Sequence, residues 1–203
     1  MDAAGQYALA YALTTTAGLR GFLTLFAASV AAHYHVIHPS GAFAWLASDT
    51  ATVVLGVFAL LELAADKVPA LDNALHVVSF AVRPLAGAIL VGSTVQTQNP
   101  STLYTAMAIG ALNTLLVHSS SAATRAASTA STLGAANAPI SAGEDVTSIL
   151  GILLAFLHPY LAAILAALFV MMLIIIAVVI AAVRSGARRG TASRRQPSPP
   201  PTS

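Results

Sequence analysis

Three arginines lie within long hydrophobic stretches of the sequence: Arg20, Arg83 and Arg125. A guanidinium at the middle of a bilayer costs about 2.5–3.5 kcal/mol on the lenient insertion scale, so each should face a partner or an aqueous cavity. Because intramembrane charges usually serve function, we expect these arginines to bind a small anion, or a carboxylate that moves during transport. The alternative is a structural ion pair that fixes the packing of the helices.

The third hydrophobic stretch carries two further groups of this kind. At 100° per residue, Asp72, His76 and Arg83 fall within a narrow arc on one face of a helix. Arg83 would lie about 20 Å along a helix that begins at Ala70, given the rise of 1.5 Å per residue. This places Arg83 near mid-membrane and predicts that Asp72 and His76 belong to the same binding surface.

Arg20 follows a run of three threonines and a glycine inside the hydrophobic stretch 7–36. That stretch is longer than the roughly 20 residues that one span requires. A helix break beside Arg20 would expose backbone amides and point a helix N-terminus into the membrane, which is a ready anion site. Arg125 also follows small and hydroxylated residues, although close helix packing would explain such residues equally well.

Three carboxylates stand at the predicted starts of helices: Asp49, Glu144 and Asp145. Carboxylates at such positions cap the helix and complement its dipole. The competing interpretation pairs them with Arg20 or Arg125 in a gate that exchanges partners, with the carboxylates as counter-charges at the binding site.

Two other polar groups are predicted to lie outside the site. Glu62 and Asp66 are four residues apart near the end of a hydrophobic stretch, and we interpret them as a solvated cluster at the membrane interface. Three histidines, His33, His35 and His38, could bind zinc or copper, but their spacing matches no standard zinc motif. No P-loop, dinucleotide fingerprint or nucleophile motif is present, so neither a cofactor nor an enzymatic activity is predicted.

The composition indicates that these residues are held in place by a membrane-embedded fold. The chain of 203 residues is 57% hydrophobic and only 8% charged, whereas soluble domains carry about 25% charged residues. Lipid is therefore the expected solvent for most of the surface. Five of the nine basic residues follow the last apolar run, which is typical of a cytoplasmic membrane anchor and argues against nucleic-acid binding. They are Arg184, Arg188, Arg189, Arg194 and Arg195.

Six hydrophobic stretches predict an all-α, polytopic transmembrane helix bundle with about six spans. They are residues 7–36, 47–65, 70–95, 103–126, 144–157 and 159–183. With an even number of spans and an arginine-rich C-terminus, both termini are expected in the cytoplasm of a multi-pass cell-membrane protein. The bundle is small, so a homodimer is a candidate assembly.

The sequence also contains a weak internal repeat. Residues 48–57 align with 143–152, and residues 17–20 align with 122–125. Each half then has three helices, and an odd number of spans per repeat inverts the second half relative to the first, as in many secondary transporters. We therefore predict one repeat over 1–97, a second over 98–185, and a disordered tail over 186–203. Chance similarity between helices rich in alanine and leucine is the alternative.

Four motifs resemble those of the DUF4126 family of bacterial membrane proteins. They are LELAADKVPALD at 61–72, RPLAG at 83–87, GLRGFL at 18–23 and GED at 143–145. The resemblance covers roughly residues 15–170 and implies a small polytopic membrane protein, but no reaction.

Together these features predict a transporter or channel for a small anion or an anionic lipid head group, working by alternating access of two inverted repeats. The predicted binding residues are Arg20, Arg83, Arg125, Asp49, Asp72, His76, Glu144 and Asp145. The rival interpretation is a non-transporting membrane scaffold or assembly protein whose buried charges are structural.

Overall fold

A computed structural model describes residues 1–39, 41–65 and 69–193, without the side chains of 69–77 and 180–193. Every regular element in these ranges is helical. The α-helices are α1 (Ala3–Leu19), α2 (Gly21–His33), α3 (Asp49–Ala65), α4 (Pro69–Thr94), α5 (Pro100–Thr132), α6 (Asn137–Leu157) and α7 (Pro159–Ser193), and a 3-10 helix covers Gly41–Ala47. The predicted all-α class is confirmed.

Two of the described helices are long and apolar enough to cross a membrane: α6, and the part of α7 over Pro159–Val179. A third span results if the 3-10 helix and α3, which meet at 70°, cross together. Two further apolar helices are shorter, α2 and the part of α4 over Val78–Thr94. The structure thus supports a helical membrane protein, whereas six spans and the inverted relation of the halves stay predictions.

Helix α1 lies at the centre of the bundle and packs against α4, α5, α6 and α7. It is buried on all sides near its C-terminal end, including three consecutive threonines. The hydroxyls of Thr14 and Thr15 donate to the Tyr11 carbonyl, and Asn113 of α5 donates to both hydroxyls at 3.0 and 2.9 Å. These bonds satisfy polar groups that would otherwise be costly in an apolar interior.

Small residues set the distance between α4 and α5. A Cβ atom at Gly87 of α4 would lie 2.6 Å from the carbonyl oxygen of Gly110 on α5. A Cβ at Gly110 would in turn overlap Val91 of α4. The two backbones therefore approach closely because both positions lack a side chain.

Helix boundaries differ from the predictions in two places. Helix α6 begins at Asn137 rather than near Glu144, because Pro139 falls in the first turn, where a missing N–H breaks no helical bond. Helix α7 continues to Ser193, whereas a disordered tail was predicted from residue 186; the first proline that could end the helix is Pro197. Residues 194–203 lie outside the described residues.

Helix α7 turns one narrow stripe towards the bundle. Ala162, Ala166 and Val170 are buried at four-residue spacing, while residues between them such as Ile164 and Leu168 are about half exposed. A helix that is apolar on its outer face as well is suited to contact lipid.

Candidate functional site

Arg20 marks a break between α1 and α2, a possibility that the sequence had left open. Its backbone is extended, with φ −138° and ψ 92°, so a new helix begins at Gly21. The first N–H groups of such a helix have no partner within it. The carboxylate of Glu62, on α3, accepts hydrogen bonds from the first three of them. The Gly21 N–H donates at 2.9 Å, and those of Phe22 and Leu23 donate at 3.0 and 3.1 Å. A buried carboxylate thus caps α2 where its dipole is positive.

Arg83 of α4 occupies the other side of the break. Its Nη1 donates to the carbonyl oxygens of Gly18 and Leu19, at 2.5 and 2.7 Å, at the C-terminal end of α1. Its Nη2 lies 3.6 Å from Glu62 Oε1. A cation thus meets the negative end of one helix and an anion the positive end of the next. We call Glu62 and Arg83 the backbone pair.

The Arg20 side chain points to α6 instead. Its Nε donates to Asp145 Oδ1 at 2.5 Å, and its Nη2 donates to Ser141 Oγ at 2.9 Å. Its Nη2 also lies 4.0 Å from Glu144 Oε2. Arg20 is only 1% exposed, so these contacts replace most of the solvation that the charge would have in water.

Glu144 joins Arg20 to a third arginine. Arg125 of α5 donates from Nη2 to Glu144 Oε2, and Ser121, one turn earlier on α5, donates to Glu144 Oε1. Two helices of the second half therefore hold Glu144 beside Arg20 of the first. We call Arg20, Arg125, Glu144 and Asp145 the side-chain cluster.

The backbone pair and the side-chain cluster form one charge network. Arg83 is attracted by Glu62 and Glu144 and repelled by Arg20 and Arg125. In the described part of the chain this network contains three guanidinium groups and three carboxylates, so its charges balance. Such balance is what allows ionised groups to be buried.

Five of the eight predicted site residues meet in this network, and one described residue does not. The five are Arg20, Arg83, Arg125, Glu144 and Asp145. The Asp49 side chain is 88% exposed and lies 3.3 Å from His33 Nδ1. Asp49 and Glu62 are near opposite ends of α3, about 20 Å apart by the helical rise. Asp72 and His76 have side chains outside the described residues.

Glu62 is the member that the sequence interpretation missed. It was predicted to be solvated, yet its side chain is only 10% exposed. The signal was available, because Glu62 ends an apolar run of α3 and a break at Arg20 leaves amides that need an acceptor. The assignment to the interface was wrong because Glu62 was considered with Asp66 rather than with that break.

The histidine-rich loop forms no metal site in the part of the chain that the structure describes. No three His, Asp or Glu side chains come together there to hold an ion. His33 faces Asp49, whereas the rings of His35 and His38 stack with centroids 6.2 Å apart.

Two adjoining cavities lead towards the side-chain cluster. One of about 250 Å³ lies among α5, α6 and α7 and is lined by Glu144, Ser121 and Thr124 among apolar residues. The other, about 290 Å³, lies between α1, α6 and α7 and is mostly apolar. Both are bounded by Leu19, Thr147 and Phe169. None of the three arginines lines either cavity, so Glu144 is the charged group at their border.

A sequence profile of the family described as "Domain of unknown function (DUF4126)" matches residues 7–179. The chain belongs to the DUF4126 family. This confirms the resemblance seen in the motifs, and the matched range contains the whole charge network. The matched range includes the four stretches that resemble DUF4126 motifs in the sequence, at 18–23, 61–72, 83–87 and 143–145. These stretches contain Arg20, Glu62, Arg83, Glu144 and Asp145. No curated protein and no solved structure matches the chain significantly.

Proposed function

We propose that the protein is a membrane transporter or channel for a small anion or an anionic lipid head group. The observation that carries the proposal is the contact of Arg20 with Asp145 and Glu144. It joins the half over 1–97 to the half over 98–185, through charges whose partners can be exchanged. In alternating access by two inverted repeats, such contacts between the halves break and re-form as the halves rock.

The chemistry of the cluster suits an anion. Guanidinium groups bind carboxylate and phosphate oxygens through the same donors. An incoming anion can therefore replace a carboxylate on an arginine without leaving that arginine unpaired. Glu144 is the member best placed for such exchange, because it contacts both Arg20 and Arg125 and borders a cavity.

The adjoining cavities support a route from the lipid. Their walls come from α1, α5, α6 and α7 and are mainly apolar, which suits an acyl chain, while Glu144 and Ser121 provide a polar end. A head group at that end would lie beside the arginines. This arrangement favours a lipid-borne anion among the candidate substrates.

The proposal is tested by flux in proteoliposomes that contain the full chain. One assay follows uptake of inorganic phosphate, and a second follows movement of a fluorescent phosphatidylglycerol between leaflets. Arg20→Gln and Arg83→Gln should each abolish the flux that the wild-type protein supports. Asp49→Asn is the matched control, because its exposed carboxylate lies outside the network, and it should keep wild-type flux. Normal flux in both arginine variants contradicts the proposal.

The second candidate is a scaffold whose charges only lock the helices together. The observation in its favour is the balance of the network, together with the bonds from Arg83 to the Gly18 and Leu19 carbonyls. A scaffold predicts that the same substitutions lower the thermal stability without any ligand-dependent effect. A ligand that raises the unfolding temperature of the wild-type protein but not of Arg20→Gln favours the transporter.

A further inference from the structure

The N-terminus of α2 has the geometry of an anion-binding site, and the carboxylate of Glu62 occupies it. Three successive N–H groups, of Gly21, Phe22 and Leu23, converge on two carboxylate oxygens within 3.1 Å. This geometry and the helix dipole favour a carboxylate or a phosphate oxygen equally. The ligand is Glu62, which reaches the amides from α3, a separate helix.

Arg83 supplies a second, independent sign of a ligand at this place. Its Nε is buried and has no hydrogen-bond partner among the described residues, although buried donors are nearly always paired. A Cβ atom on Gly21 would lie 3.3 Å from Arg83 Cγ, so the arginine stem packs against the first residue of α2. Nη2 of the same guanidinium lies 3.6 Å from Glu62 Oε1, so Arg83 brings a side chain with one unused donor to the first turn of α2.

From these observations we propose that Glu62 is a tethered competitor for an anion site formed by the first amides of α2 and the guanidinium of Arg83. A free or lipid-borne anion binds there when the Glu62 carboxylate swings away. The inference rests on the proposed function for its class of ligand. It adds the location of the site and the group that closes it.

Departure of one side chain is a small rearrangement. Glu62 has rotatable side-chain bonds, whereas the amides and the Arg83 stem belong to packed helices that need not move. Once the carboxylate leaves, the site retains the positive end of α2 and the charge of Arg83, with Arg20 at the same break. An anion with two or more oxygens can then bind the amides and the Nε of Arg83 together.

The test is rescue of a truncated side chain by a small carboxylate. Glu62→Ala leaves the amides and Arg83 without their anion, so its unfolding temperature in gluconate, a carboxylate much larger than formate, should fall below that of the wild type. Formate should restore that temperature in a saturable manner, with an apparent affinity at least tenfold higher than for the wild-type protein. Dihexanoyl phosphatidylglycerol and inorganic phosphate serve as parallel probes that separate a lipid-borne anion from a free one.

Two further variants fix the interpretation. Glu62→Ala combined with Arg83→Gln should lose the saturable rescue, and Asp49→Ala, which removes an exposed carboxylate, should behave like the wild type. If Glu62→Ala fails to fold, Glu62→Gln keeps the shape of the side chain and should bind formate at least tenfold more tightly than the wild type in calorimetry. No saturable anion dependence in either Glu62 variant overturns the proposal.

The outcome is separable from that of the flux experiments, because rescue measures binding and not transport. Rescue with no flux supports the site and contradicts the transporter. Flux that requires Arg20, without rescue at Glu62, supports the transporter and contradicts the tethered competitor.

Discussion

The backbone pair and the side-chain cluster bury similar charges against very different partners. Glu62 and Arg83 bind the amides and carbonyls at the break between α1 and α2, which can move only if those helices move. Arg125 and Glu144 bind each other and a hydroxyl, all on side chains that can rotate. In the first arrangement the amides and carbonyls are fixed, so only the Glu62 side chain can exchange its place with another anion. In the second arrangement either partner can rotate away from the other.

Exposure differs in the same direction. The side chains of Arg83 and Glu62 are 9% and 10% exposed, whereas those of Arg125 and Asp145 are 17% and 23% exposed. The difference applies to these two members of the cluster, because Glu144 is 11% and Arg20 only 1% exposed. Where exposed charges reach water, its high dielectric constant weakens the attraction between them and lowers the cost of separating them. We therefore expect substitutions in the backbone pair to cost more stability than those at Arg125 in the side-chain cluster, whereas flux requires both regions.

The largest effect on stability is expected from Arg83→Gln. The substitution leaves the Glu62 carboxylate without its cation and removes donors from the Gly18 and Leu19 carbonyls. Removing one partner of a buried pair typically costs about 3–5 kcal/mol. Thermal and denaturant unfolding in detergent should show this loss, and the double variant with Glu62→Gln should recover part of it because no buried charge is then unpaired. A cost below that of Asp49→Asn would contradict the structural role of the pair.

A smaller effect is expected from Arg125→Gln in the side-chain cluster. Glu144 keeps the Ser121 hydroxyl and the nearby Arg20 guanidinium, so the cost should be about 1–3 kcal/mol, as for a lost hydrogen bond to a charged group. A double-mutant cycle with Glu144→Gln measures the coupling directly. A coupling energy larger than that between Arg83 and Glu62 would reverse the proposed difference between the two regions.

The sequence indicated where a break could occur, because a charge and glycines interrupt a stretch longer than one span at Arg20. It also offered two interpretations of Glu144 and Asp145, helix capping or pairing with Arg20 or Arg125, and could not decide between them. Asp49 occupies the matching position in the alignment but lies at the start of α3, whereas Glu144 lies well inside α6. Residues that match in an alignment therefore lie at different positions along their helices when one helix begins earlier than the other.

Glu62 shows a different limit of sequence interpretation. Its main partners are backbone amides of α2, and amides are the same in every sequence. Nothing in the spacing of the residues shows which helix will approach an open N-terminus, because that depends on how α2 and α3 pack. Ion pairs between side chains leave a pattern of opposite charges, whereas a charge that binds the backbone leaves none.

The smallest expected effect concerns Asp2, an exposed carboxylate that sets the baseline for the buried ones. A hydrogen bond from the Tyr160 hydroxyl, and a second from the Gly5 N–H, hold the pKa of Asp2 below its usual range. Because the folded-state pKa is lowered, the ionised carboxylate stabilises the fold above the unfolded pKa, and this contribution is lost as the pH falls through the folded value. Tyr160→Phe should raise the pKa of Asp2 in a carboxyl NMR titration, while Tyr104→Phe, at another exposed tyrosine, should leave it unchanged. An unchanged pKa in Tyr160→Phe would show that Asp2 is held by the helix N-terminus alone, unlike Glu62, which also faces Arg83.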